Sequence, residues 1–247
     1  MAAVVTKPRA MTLSIGVDIG QKIDSSAIVV AEHQAGDTGT TFTVRHLERR
    51  PLGEPYPTVA ARVAAVVTGA VRHARRPRYA TPATHPDHPD GWLLSDGFDF
   101  PLSAFVVIDS TGVGLPVAEL VTAALAAAGL DVFRVSLTVE LAVFTFGERL
   151  SWSNGERRVG KGYLVSRLQS LLQTGRVRLP DTGEARALAA ELLNYEIKVD
   201  PDGDAKFGAF KTGSHDDLVT ALGLAVLEDR EPGVAGTLSE SGRWVTR

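Results

Sequence analysis

TLSIGVDIG (residues 12–20) sets Leu13, Ile15 and Val17 against Ser14, Gly16 and Asp18, the two-residue alternation of a strand with one apolar face. The strand closes on an aspartate. FVVID (105–109) is a continuous apolar run that also ends on an aspartate, as expected of a central strand covered on both faces. Ligand sites in open α/β sheets lie outside the carboxyl ends of parallel strands. If these two strands are parallel neighbours, Asp18 and Asp109 stand side by side at that edge.

Around this pair the chain reads as a meander followed by helix–strand alternation. SSAIVVAE (25–32) and TTFTVRHLE (40–48) are two further strands, and the short gaps with Gly20 and Gly36–Gly39 favour antiparallel pairing. Residues 57–74 open with Pro57 and read as a helix. Residues 75–102 are rich in Pro, His, Asp and Gly and without periodicity, which predicts a surface insertion or lid. After the central strand come a helix over 116–128, a strand over 131–136, a β-rich segment over 137–152 and a helix over 160–174. A strand over 176–180, a helix over 184–194, a hairpin over 195–210 turning at Asp202–Gly203, and a helix over 215–228 complete the order. The pattern predicts one domain over 12–228, an α/β fold with a mixed central sheet (antiparallel meander plus parallel strands) and helices on both faces. Residues 1–11 and 229–247 read as flexible tails.

Composition narrows the function classes. With 247 residues, 44% hydrophobic and 22% charged, the chain can bury a sizeable core. No apolar run reaches the roughly 18 residues of a membrane span, and MAAVVTKPRAM lacks a signal-peptide core, so a cytoplasmic protein is expected. The absence of cysteine excludes disulfides, thiolate metal sites, iron–sulfur clusters and Cys nucleophiles. The net charge of −3, from 29 acids and 26 bases, argues against a nucleic-acid partner only as an average. The segments 45–78 and 149–178 are Arg-rich, while much of the acid excess lies after residue 180.

A third acidic element is GSHDD (213–217), followed by Leu218, Ala221, Leu222, Ala225 and Val226 at helical spacing. On a helical wheel Asp217 falls beside Ala221 at the rim of the apolar stripe, and Asp216 points nearly opposite. Ser214 to Asp217 also fits a capping box, and Asp18 or Asp109 taken alone fits a turn residue. Three acids at element ends, converging on one sheet edge, point to a cation, because clustered carboxylates repel unless neutralised. Hard oxygen donors suit Mg²⁺ or Mn²⁺, and two such ions about 3.5–4 Å apart serve phosphoryl chemistry.

The segments SIGVDIGQKIDSSAIVV (14–30), VVIDSTGVGLPVAELV (106–121), VGKGYLVSRLQSLLQTGRVRLP (159–180), AAELLNY (189–195) and GSHDDLVTALGLAV (213–226) carry a resemblance. In order and spacing the chain resembles the C-terminal nuclease domain of the terminase large subunit of tailed bacteriophages, an RNase H-like fold of the retroviral-integrase type, over about residues 12–228. The resemblance implies that Asp18, Asp109 and Asp217 are the catalytic, metal-binding acids and Asp216 an accessory metal ligand. It implies two Mg²⁺ or Mn²⁺ ions and cleavage of double-stranded DNA with little sequence preference during packaging. A terminase ATPase motor, a small terminase and a portal are the implied partners. Two features depart from the family. Val159-Gly160-Lys161 stands where Val-Pro-Lys is usual, which predicts a looser turn into the helix. Only a few residues precede the first strand, so an excised or separately encoded nuclease, with the motor elsewhere, is expected.

Lys161, Arg157, Arg158 and Arg176 are the expected phosphate contacts, with solvated helix faces as the alternative. His215, beside the acids, orients a water or phosphate, or else packs or caps. GERRVGK (155–161) fits a P-loop except for Gly162 in place of Ser or Thr, and SWSN before it is a poor buried strand, so an ATP site is rejected. HPDH (85–88) reads as a solvated loop. Three rival functions remain: a Holliday-junction resolvase using the same acids, an actin-like or sugar-kinase ATPase built on GVDIG with Ser25 and Ser26, and a non-catalytic DNA-docking module. The ATPase needs a second phosphate loop, for which DSTG (109–112) is the candidate.

Overall fold

A computed structural model of the chain describes residues 10–20, 24–76, 78–80, 92–95, 100–111, 114–153, 155–194, 196–199, 205–208, 216–230, 237–238 and 244–245. From the N-terminus the elements are β1 (Met11–Asp18), β2 (Ala27–Gln34), β3 (Thr41–Arg49), α1 (Tyr56–Ala74), β4 (Arg78–Ala80), β5 (Trp92–Ser95), β6 (Leu102–Asp109) and α2 (Gly114–Ala127). A 3-10 turn (Leu130–Phe133) leads into β7 (Val135–Thr145), β8 (Leu150–Ser153), β9 (Glu156–Gly160), α3 (Lys161–Gln173) and β10 (Val177–Arg178). Then follow α4 (Gly183–Asn194), β11 (Glu196–Val199), β12 (Ala205–Gly208), α5 (Asp217–Ala225), β13 (Thr237–Leu238) and β14 (Trp244–Val245).

Eight strands form one mixed sheet in the order β10-β3-β2-β1-β6-β7-β9-β8. Strands β1, β2 and β3 make the antiparallel meander, while β6, β7 and β9 run parallel to β1 in succession. Alternation along the strands divides the core. Leu13, Ile15 and Val17 pack with Val63 and Val67 of α1 and Val117 and Val121 of α2. On the other face Val29, Ala31, Val107 and Ala142 pack with Leu164 and Leu168 of α3, Leu188 of α4, and Leu218 and Leu222 of α5. The expected α/β sheet with helices on both faces is therefore present. Among the described residues no helix is long and apolar enough to cross a membrane.

Two expectations are corrected. The strand expected over 131–136 is a 3-10 turn over Leu130–Phe133, with Arg134 in the left-handed region at φ 48°, and the strand runs instead over Val135–Thr145. The cause lies far away in sequence: the buried guanidinium of Arg75 donates to the carbonyls of Phe133 (2.8 Å), Arg134 (2.7 Å) and Phe100 (2.8 Å). Tertiary hydrogen bonds here override strand propensity. The last helix is also shorter than 215–228. It spans Asp217–Ala225, because Glu228 and Asp229 pair with arginines of β9 and α3, and Arg230 pairs with Glu140 and stacks over Phe105 at 4.1 Å. Within the expected insertion, Tyr79 pairs with Leu93, and HPDH (85–88) lies outside the described residues.

Candidate active site

Strands β1 and β6 are parallel neighbours with Val17 opposite Ile108, so Asp18 and Asp109 end adjacent strands at the same level, roughly 5 Å apart between strand axes. Asp18 shares a face with Gly16, and Asp109 with Val107, the face covered by α5. Both acids are half-buried.

The third acid arrives by close packing. A β-carbon on Gly16 would overlap the Ala221 carbonyl and stand 2.6 Å from the Ala225 nitrogen, so α5 rests directly on β1 at that residue. Asp217 precedes Ala221 by one helical turn, about 6 Å, and Asp18 follows Gly16 by one pleat, about 6.6 Å. The two displacements match, and Asp18, Asp109, Asp216 and Asp217 line one open cleft of about 770 Å³ together with Lys161 and Phe144.

The electrostatics report the same convergence. Burial pushes the Asp18 carboxyl well above the usual carboxylate range, and the charges of Asp109, Asp217 and Asp216 add to it, against Lys161. Asp109 is also raised by burial, opposed by hydrogen bonds from Thr111 and by the Lys161 charge. The Thr111 backbone N–H donates to Asp109 Oδ1 (2.8 Å), and Thr111 Oγ1 accepts from the Phe144 N–H (2.8 Å). These bonds tie the Asp109 carboxylate to the end of β7 and leave it little rotamer freedom.

Two residues absent from the expected site complete it. Glu191 of α4 is 8% exposed and its Oε2 accepts from the backbone N–H of Leu218 (3.1 Å) and Val219 (3.3 Å). Its other oxygen pairs with Arg49 Nη2, and Arg49 Nε lies 3.3 Å from Asp217 Oδ2. Glu191 thus caps α5, while Asp216, at the N-cap position, makes no side-chain cap hydrogen bond. The signal for Glu191 was a carboxylate on the stripe of Ala185 and Leu188, which are both buried. Arg49 belongs to the Arg-rich segment 45–78, whose sequence alone does not separate it from its neighbours.

The remaining expected residues scatter. Lys161 heads α3 at the cleft, 5.7 Å from the Phe144 ring. Arg158 is exposed on the opposite face, in register with Val143. Arg157 is not directed to a ligand: it pairs with Glu140 (2.7 Å) and Glu228 (2.6 Å) and stacks over Trp152. Arg176 likewise pairs with Asp229 (2.9 Å) and donates to the Thr40 carbonyl. His215 lies outside the described residues. Residues 156–160 form a strand hydrogen-bonded on both sides, so the P-loop-like motif has no loop to cradle a phosphate. Gly160 sits at φ −64° and ψ 127°, the backbone a proline would impose, and its N–H donates to the Arg149 carbonyl (2.8 Å). The turn into α3 is therefore extended without proline, and the freed N–H is used.

Among the described residues no three acidic or histidine side chains are already drawn together tightly enough to hold a metal ion. The donor chemistry nonetheless suits a hard divalent cation: carboxylates alone, borne on two strand ends and a buried helix, with Asp18 destabilised as an anion until a cation offsets its neighbours.

No protein-family model and no curated protein sequence matches the chain. Among solved structures it is similar to the human cytomegalovirus terminase nuclease domain, Mn-soaked and inhibitor-bound, with TM-score 0.50 and 11% identity over 87% of this chain and 81% of that one. It is also similar to the Thermus phage P74-26 large terminase nuclease domain (TM-score 0.46, 20% identity, 87% and 78% of the two chains). The SPP1 large terminase nuclease domain with bound Mn gives TM-score 0.45 and 12% identity over 93% and 92%. At these identities the cytomegalovirus likeness bears on architecture alone, and on that ground the chain has the RNase H-like fold of the terminase nuclease domains.

Proposed function

We propose that this chain is a divalent-metal-dependent endonuclease that cuts double-stranded DNA with little sequence preference during phage genome packaging, by two-metal-ion phosphodiester hydrolysis. The observation that supports it is the convergence of Asp18, Asp109 and Asp217 on one cleft, where burial and the charges of Asp109 and Asp217 raise the cost of ionising Asp18. Mg²⁺ or Mn²⁺ held by Asp18, Asp109 and Asp217, with Asp216 at the rim, would supply an activated water and charge stabilisation at the leaving oxygen.

The protein's own share is positional. Asp18 and Asp109 project from paired strand ends, and Thr111 holds the second of them. Lys161 stands at the cleft as a phosphate contact. The cleft is open rather than enclosed, as a duplex backbone requires. An ATPase motor, a small terminase and a portal are the partners such a nuclease would work with.

The deciding experiment is incubation of the chain with supercoiled plasmid in Mn²⁺, Mg²⁺ or EDTA. Nicking and linearisation with metal and none in EDTA are expected; no cutting with either metal overturns the reading. Preference for a four-way junction over linear duplex would move it to a resolvase.

A further inference from the structure

Resting on the nuclease reading above, we propose that Arg49 and Glu191 act as one positioning unit for Asp217. Neither residue touches substrate; both act through the third acid.

The unit joins three elements. Asp18, Ala27 and Arg49 are in one register row across β1, β2 and β3, which brings Arg49 to the same edge two strands away. Glu191 reaches from α4, 27 residues ahead of the backbone N–H it captures at Leu218. One carboxylate therefore holds both the first turn of α5, through Oε2, and the Arg49 guanidinium, through Oε1. That guanidinium in turn meets Asp217 Oδ2 at 3.3 Å. Asp217 is consequently placed by the helix turn that carries it, with its Oδ2 in ion-pair range of the Arg49 guanidinium.

A purely structural role explains this poorly. Helix starts are ordinarily capped by a local side chain, and a local Asp stands at the N-cap position unused. Burying an arginine between two acids is costly, and well-packed apolar residues would serve stability as well. A lone arginine beside a cation site would also repel the cation. Pairing with Glu191 shares its charge, so the guanidinium can orient Asp217 without opposing a metal. Arginine suits the task because its planar fork reaches two carboxylates at once.

The test is Mn²⁺ binding by calorimetry, with thermal denaturation in parallel, on the whole chain and on Glu191→Gln, Arg49→Gln and the double variant. Glutamine at 191 keeps the volume and an acceptor for Leu218 and Val219, and the denaturation curves identify the variants that fold. Each single change is expected to weaken Mn²⁺ binding by about 10- to 100-fold, and the double by no more than the worse single. Folded variants that bind as the unaltered chain does would reduce the pair to a structural one and overturn the proposal. Tighter binding by Arg49→Gln would make Arg49 a competitor of the metal and overturn it equally, as would additive losses. If the unaltered chain neither binds Mn²⁺ nor cuts DNA, the nuclease reading falls and this one with it; normal binding there with unaffected variants sinks only the positioning unit.

Discussion

Gly16 and Ala221 are in backbone contact across the interface of β1 and α5, leaving no room for a side chain on the strand residue. The contact sets the height of α5 on the sheet and so the distance from Asp217 to Asp18. Gly16→Ala is expected to lift the helix, costing about 1–3 kcal/mol of stability, and to reduce DNA cutting further than the unfolded fraction explains. Urea denaturation and plasmid nicking on one preparation check both; a variant stable and fully active contradicts the assignment.

Asp109→Asn keeps the shape and an acceptor for the Thr111 N–H but removes the charge. Losing several kcal/mol of charge stabilisation corresponds to a drop of about 100-fold or more in cutting rate. Thermal denaturation should show the fold intact. Persistent cutting by a well-folded Asp109→Asn would falsify the site.

The raised pKa of Asp18 has a definite sign. Its ordinary value is 3.8, and burial with the charges of Asp109, Asp217 and Asp216 raises it in the folded state. The folded chain thus holds that proton more tightly than the unfolded chain. Its contribution favours folding below about pH 4 and is lost as the pH rises through the folded value. Without metal, Asp18→Asn should therefore melt above the unaltered chain at pH 8, with the gap closing towards pH 4. Mn²⁺ should stabilise only the unaltered chain. Melting curves at both pH values, with and without Mn²⁺, measure this; a gap that ignores pH refutes it.

The two kinds of basic residue separate by salt. Lys161→Ala is expected to lower DNA affinity and reduce the slope of log affinity against log salt by about 1. Arg157→Ala, which strips a partner from Glu140 and Glu228, should lower stability and leave the slope unchanged. Fluorescence titration of a duplex at several salt concentrations distinguishes them.

Arg75→Met leaves the Phe100, Phe133 and Arg134 carbonyls without their buried donor. At roughly 1–3 kcal/mol per orphaned group, partly relieved by water, a loss of about 3–5 kcal/mol is expected. Denaturant titration reads it directly. A loss below 1 kcal/mol would mean that the 3-10 turn does not depend on Arg75.

Much of this architecture is legible in short-range pattern. Alternation in β1 and the apolar run of β6 reveal both strands, and each aspartate falls at a strand end because the pattern stops there. Asp217 is legible because helical spacing places it on the rim of the apolar stripe. What local pattern does not carry is pairing at a distance. Arg49, Arg157 and Arg176 look alike as members of basic runs, yet each is held by an acid contributed from elsewhere in the chain. Glu191 resembles any helix-surface carboxylate until α5 is laid against α4. The turn over Leu130–Phe133 looks like a strand because the guanidinium that stabilises it lies 58 residues earlier.

Every residue of α5 except Thr220 is buried. The helix that delivers Asp217 is therefore also the centre of the second hydrophobic core, between the sheet and helices α3 and α4. Its amides belong with those that exchange with solvent only when the whole domain opens, at the high end of the molecule's stability range. Such an element cannot be loosened to switch an acid off without unfolding everything around it. On the nuclease reading proposed above, restraint on this cleft would fall instead to what is admitted to it: the nucleic acid, the cation, and any neighbour able to stand across its mouth.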